Sequence, residues 1–137
     1  MKYIRILTIL VGLIGLTFPL RPASGQSNFY DGKTVTLLIG AKTGSLEIAA
    51  QIVAHHLGKY LPGKPAVIVQ HMPGAAHLLA TNNVFNVAKP DGLTILAANP
   101  NVAIAQLSKI EQVRFDVRKF LWLGSSGADG VALSIRP

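Results

Sequence analysis

The side chains able to do chemistry gather in two short stretches, Lys42-Thr43-Gly44-Ser45 with Glu47, and His71-Met72-Pro73-Gly74-Ala75-Ala76-His77. Neither supplies a nucleophile next to a base, or a paired acid and base. Ser125 and Ser126 do not form Gly-x-Ser-x-Gly and have no evident base. The stretch from Gly40 to Ser45 matches neither the phosphate-binding Gly-x-x-x-x-Gly-Lys-Ser/Thr pattern nor Gly-x-Gly-x-x-Gly. His55 and His56 are adjacent on an expected helix and make a poor metal pair, with His56 expected half buried and His55 solvated. His71 and His77 have no carboxylate or cysteine at ligand spacing. Lys42 can pair with an anion or with Glu47. His77 can be a ligand contact that charges below neutral pH, although a solvated position on a helix surface is the simpler expectation. No enzyme, cofactor or metal is therefore expected.

These stretches need elements to hold them. Val67-Ile68-Val69 is a β-branched run of the kind that forms a strand covered on both faces. Pro73-Gly74 turns the chain, and the Ala/Leu-rich segment from Ala75 to Val87 has helical composition. A strand–turn–helix joint directs unpaired N–H groups and the positive end of a helix dipole into the loop, which suits a carboxylate or phosphate.

The same pattern occurs before and after it. Lys33 to Ile39 reads as a first strand, and Leu46 to Leu61 as an amphipathic helix with Ile48, Ala49, Ile52, Val53, His56, Leu57 and Tyr60 on its apolar face. Ser45 is the expected N-cap, with Glu47 in the first turn. Pro62-Gly63-Lys64-Pro65 ends that helix before the second strand, Ala66 to Gln70, and Lys89-Pro90-Asp91-Gly92 closes the second helix. Leu93 to Ala97 reads as a third strand, followed by Asn99 as N-cap, Pro100 and a helix from Asn101 to about Lys109. Phe120–Leu123 and Val131–Ile135 read as further strands around a Gly124–Gly127 loop, with Trp122 and Phe120 expected in the core.

This alternation predicts an α/β fold with a partial doubly wound, mainly parallel sheet built by right-handed crossovers. In such a sheet Lys42–Ser45, Met72–Ala76 and Asn99–Asn101 converge at the carboxyl ends of the strands, where doubly wound folds bind ligands.

Met1 to Gly25 reads as a signal peptide. Lys2 and Arg5 form a basic start, Ile6 to Leu16 is apolar, and Ala23-Ser24-Gly25 offers cleavage after Gly25 or Ala23. The apolar run is short for a membrane span. The expectation is export to the periplasm, with residues 26–137 forming one ligand-binding domain. The whole chain carries a formal charge of +7, which falls to about +4 once Lys2, Arg5 and Arg21 leave. The remaining basic residues are scattered, so nucleic acid is not an expected partner. The absence of cysteine fits a domain held by its core instead of by disulfides.

Five blocks resemble one known family. They are Phe29-Tyr30-Asp31-Gly32-Lys33-Thr34-Val35, Ala54 through Pro65, Val69-Gln70-His71-Met72-Pro73-Gly74-Ala75, Lys89-Pro90-Asp91-Gly92-Leu93-Thr94-Ile95 and Val113 through Phe120. In order and composition they resemble the Bug-type solute receptors of tripartite tricarboxylate transporters. The resemblance implies a periplasmic-binding-protein-like first domain and a small organic acid or amino acid as ligand. It also implies membrane permease subunits as partners. It places the ligand carboxylate on Lys42, Thr43, Gly44 and Ser45, and on Pro73, Gly74, Ala75 and Ala76; Asn99, on the third converging loop, is a further candidate contact apart from the resemblance. A receptor serving a sensor kinase, a non-functional fragment and, further off, an exported α/β enzyme are the alternatives.

Three departures stand out. The family's glycine run and aspartate are replaced by Thr43-Gly44-Ser45-Leu46-Glu47, with Glu47 in the aspartate's place. His71 replaces an asparagine, and His77 a small residue. The family's chains are more than twice this length, so a second domain is expected to be missing and the chain to be a truncated first domain.

Overall fold

β1, Thr34–Ile39, is the strand on which everything else is hung. It pairs in parallel with β2, Ala66–His71, on one side and with β3, Thr94–Ala97, on the other, giving the order β2-β1-β3. The computed structural model describes residues 29–125. The expected leader, its cleavage sites, Ser126 and the expected Val131–Ile135 strand lie outside the described residues.

The intervening elements are α1, Ser45–Tyr60, and α2, Leu78–Asn86, which is preceded by a 3-10 turn at Ala75–His77. α3, Asn101–Leu107, and a second 3-10 turn at Val117–Lys119 follow β3. The result is a small α/β fold on a three-stranded parallel sheet. Up to Lys109 the expected strands and helices are thus present to within two residues at each end, apart from the start of α2, which comes three residues later than expected. Phe120–Leu123 is not a strand.

β1 is buried on both faces: the consecutive residues Leu37, Leu38 and Ile39, which alternate in direction, are all at most 3% exposed. Leu37 and Ile39 pack with Ala50 and Ala54 of α1, joined by Val67, Val69, Ile95 and Ala97. A second core joins Leu78, Val102, Ala105 and Phe115, with Phe85, Val113, Val117 and Phe120 against it. Right-handed crossovers that run in opposite directions across the sheet, from β1 to β2 through α1 and from β2 back past β1 to β3 through α2, put α1 and α2 on opposite faces.

The face of α1 differs from the expected one. Ala50 and Ala54 are buried, whereas Ile48, Ile52, Val53, His56 and Tyr60 are exposed. The cause is close approach. Ala50, Ala54 and Gly58 recur every fourth residue and form a ridge of small side chains. A Cβ on Gly58 would stand 2.6 Å from the Pro65 carbonyl oxygen. Large residues on that line would lift the helix off the sheet, so the large apolar side chains point outward.

Trp122 is also misplaced by the sequence reading. It is exposed, with its indole N–H donating to the Val117 carbonyl at 3.0 Å. Phe120 does pack inward, edge-on to Phe85 at 5.5 Å between centroids.

α2 holds the 112–114 segment through two asparagines one turn apart. Asn82 accepts from the Arg114 N–H at 2.8 Å and donates to the Gln112 carbonyl at 2.8 Å. Asn86 donates to the Arg114 carbonyl at 2.9 Å. The amides act as a short surrogate strand for a segment that joins no sheet. Asn82→Ala removes both of its bonds and is expected to cost about 1 kcal/mol, since these groups are water-accessible. A thermal melt should show Tm lowered by roughly 4–8 °C.

Candidate functional site

In the parallel register Ile39 lies opposite His71 on one side and opposite Ala97 on the other, so the three strands end level with one another. The three loops expected to converge therefore leave one edge of the sheet. The Met72 N–H donates to the Ile39 carbonyl at 2.8 Å and ties the second loop to the end of β1.

Residues level in a parallel sheet point to the same face. Ile39 faces α1, and His71 follows it. That places the imidazole beside the first turn of α1, where Glu47 Oε2 lies 2.5 Å from His71 Nε2. Gln51 donates to Glu47 Oε1 at 2.9 Å from one turn further along. Glu47 pairs with His71, and no ion pair to Lys42 occurs among the described residues. The Gln51 amide first, and His71 second, hold the Glu47 carboxyl below its ordinary range. This contribution to folding is present above the ordinary glutamate pKa and is lost as pH falls through the lowered value.

The residue that follows β1, Gly40, faces the other side of the sheet. Against it lies His77. A Cβ on Gly40 would stand 2.7 Å from His77 Cα, 2.8 Å from its Cβ and 3.0 Å from its Nδ1. Only glycine leaves room for this contact. His77 is therefore half buried at the sheet edge, and is not a histidine on a helix surface. Its Nδ1 is buried without a hydrogen-bond partner, which leaves Nε2 as the nitrogen that a ligand could meet.

The second loop does not enter its helix at Ala75. Ala75, Ala76 and His77 have φ of 45°, 50° and 75°, a left-handed run of three non-glycine residues. Each costs roughly 1–2 kcal/mol relative to right-handed backbone. α2 begins only at Leu78, although alanine composition alone favours an earlier start. The run leaves Ala75 and Ala76 exposed, with N–H groups that donate to no described residue. Adjacent N–H groups in such a conformation form a concavity that suits an anion.

The first loop differs from expectation in its cap. Gly44 precedes α1 with φ 97° and ψ −171°, Ser45 is the first helical residue, and no side chain caps the helix. Lys42, Thr43, Gly44 and Ser45 are exposed at this start. α1 carries Glu47 in its first turn, whereas the Ala75–His77 turn and α2 carry no acid there. The positive end of α1 is thus partly compensated by its own carboxylate, and the second loop is not.

At the third loop Asn99 behaves as expected. Its Oδ1 accepts from the Asn101 N–H at 2.9 Å and its carbonyl from Val102 at 3.1 Å, with Pro100 already in helical conformation. Asn99 thereby spends its acceptor on its own helix. His55 and His56 both lie exposed, rings edge-on at 4.9 Å, so His56 is not the half-buried residue expected. Among the described residues no three histidine, cysteine or carboxylate side chains are grouped to hold a metal.

No family model matches the chain, and no curated protein or solved structure matches it either. Two clefts occur away from the edge. One of about 330 Å³ is lined by Ala103, Gln106, Leu107, Val117 and Arg118. Its arginine is already paired with Asp116 at 2.8 Å. The other, about 400 Å³, includes His55, Lys59 and Lys64 beside the start of β2, at the opposite end of the strand. Neither includes any residue expected to bind ligand. Among the described residues no helix is long and apolar enough to cross a membrane.

Proposed function

We propose that this chain is an exported solute receptor that captures a small organic acid or amino acid by its carboxylate, at the carboxyl edge of its sheet. The observation that supports this most is the left-handed run at Ala75–His77, in which the N–H groups of two adjacent exposed residues, Ala75 and Ala76, have no partner among the described residues. Backbone donors placed in this way are suited to a carboxylate and commit no side chain to chemistry. The uncapped start of α1, with Lys42, Thr43, Gly44 and Ser45, borders the same edge, and Pro73 and Gly74 lead into the run.

Family membership is part of the proposal. The fold is read as the first domain of a periplasmic-binding-protein-like receptor of the Bug type, delivering its ligand to the permease subunits of a tripartite transporter. An open edge leaves a bound carboxylate in contact with water, so affinity for this chain alone is expected to be weak, about millimolar.

Titration of the 15N-labelled chain with succinate tests the reading. The expected result is saturable movement of the Ala75 and Ala76 amide resonances, with smaller shifts at Ser45. Movement confined to the basic cleft at Lys59 and Lys64, or none, would refute it, as would a submicromolar dissociation constant for the expectation of weak capture.

A further inference from the structure

The candidate edge carries one negative charge of its own. Glu47 is held there by two contacts, His71 Nε2 at 2.5 Å and Gln51 Nε2 at 2.9 Å, and its side chain is only 19% exposed. We propose that the Glu47–His71 pair sets the charge of the edge, so that an anion is accepted when His71 is protonated and held more weakly when it is neutral. This rests on the reading of the edge as a carboxylate site.

The electrostatics follow from which partner can change. Glu47 stays ionised through the neutral range, because its hydrogen bonds favour the charged form. Histidine is the side chain whose charge ordinarily changes between pH 5 and 8. With His71 protonated the pair is neutral overall. With His71 neutral, an uncompensated carboxylate stands beside the loops that would receive the ligand. Among the described residues the other ionisable groups along the edge are Lys42 in the first loop and His77 in the 3-10 turn. β1 contributes only Ile39 and Gly40 there, and β3 only Ala97. Of lysine and histidine, only histidine ordinarily titrates in this range, so His77 is the competing source of a pH dependence to be tested. A unit charge a few ångströms from a partly solvated site changes affinity several-fold at the dielectric of a protein surface.

The test is the succinate titration at pH 5.5 and pH 8.0, read at the Ala75 and Ala76 amides, on the wild-type chain and on Glu47→Gln, His71→Asn and His77→Asn. The proposal expects the wild type to bind about fivefold more weakly at pH 8.0. His71→Asn should give a flat profile at the weaker level, and Glu47→Gln should bind about fivefold more tightly than wild type at pH 8.0. A wild-type profile retained in His71→Asn overturns the proposal, and one abolished only in His77→Asn moves the switch to His77. If the amides respond to succinate but neither pH nor these substitutions matters, the carboxylate site stands and the switch fails. If no protein responds at either pH, the carboxylate reading itself fails.

Discussion

Gly40→Ala is expected to destabilise the chain by about 3 kcal/mol, the upper end of the usual cost of overpacking. The new methyl would meet the Cα of His77 at 2.7 Å, so backbone must move, either at the end of β1 or in the second loop. Urea unfolding should show a lower midpoint with an unchanged slope. The nature of the clash allows a sharper check. Because the nearest atom belongs to the His77 backbone, trimming the ring in Gly40→Ala/His77→Ala should recover little of the loss. Full recovery would mean that the imidazole alone sets the spacing. The Ala75 and Ala76 amides should also lose their response to succinate in any folded fraction, because the run that exposes them is anchored at this contact.

Phe115→Ala should have an effect of similar or greater size, about 3–5 kcal/mol. Phe115 is 7% exposed and fills the second core between Leu78, Val102 and Ala105, with the Phe120 ring at 6.3 Å. Small domains are stable by only 5–15 kcal/mol, so this one substitution removes a large share of the total. Far-UV circular dichroism during urea titration should show the variant unfolding at a much lower denaturant concentration. Leu121→Ala is the control: that side chain is 87% exposed, and its loss should leave the midpoint where it was.

The alternation of strands and helices is legible in the sequence because it depends on local signals. Pro62-Gly63, Pro90-Asp91-Gly92 and Asn99-Pro100 mark boundaries within a residue or two of those observed, and the β-branched runs can form little but strands. The convergence of the three loops follows from parallel pairing, which the crossover lengths imply. The packing face of α1 was written in the sequence but read wrongly. Large apolar residues outweigh alanine on any hydrophobicity scale, yet Ala50, Ala54 and Gly58 at four-residue spacing mark a close approach. The Ala75–His77 run is not legible because alanine favours right-handed helix, and the close approach of His77 to Gly40 that accompanies the run is a tertiary contact. The Glu47–His71 pair spans 24 residues and becomes visible only with the register that sets His71 level with Ile39. Trp122 has apolar neighbours that suggest a place inside, but its ring is exposed and its indole N–H bonds the Val117 carbonyl.

The central position of β1 has a consequence for the order of assembly. Both pairings of the sheet are made to the earliest strand, with Ile39 meeting His71 and Thr36 meeting Thr94. The second pairing closes a loop almost twice as long, yet the added chain entropy is only about 0.5 kcal/mol. Loop length alone therefore barely ranks the two events. During synthesis, however, β2 leaves the ribosome well before β3, and β1 can dock it while its other edge is still bare. The β1–α1–β2 unit, with its alanine ridge already seated, is the natural nucleus on the growing chain, and β3 closes onto a template that is waiting for it.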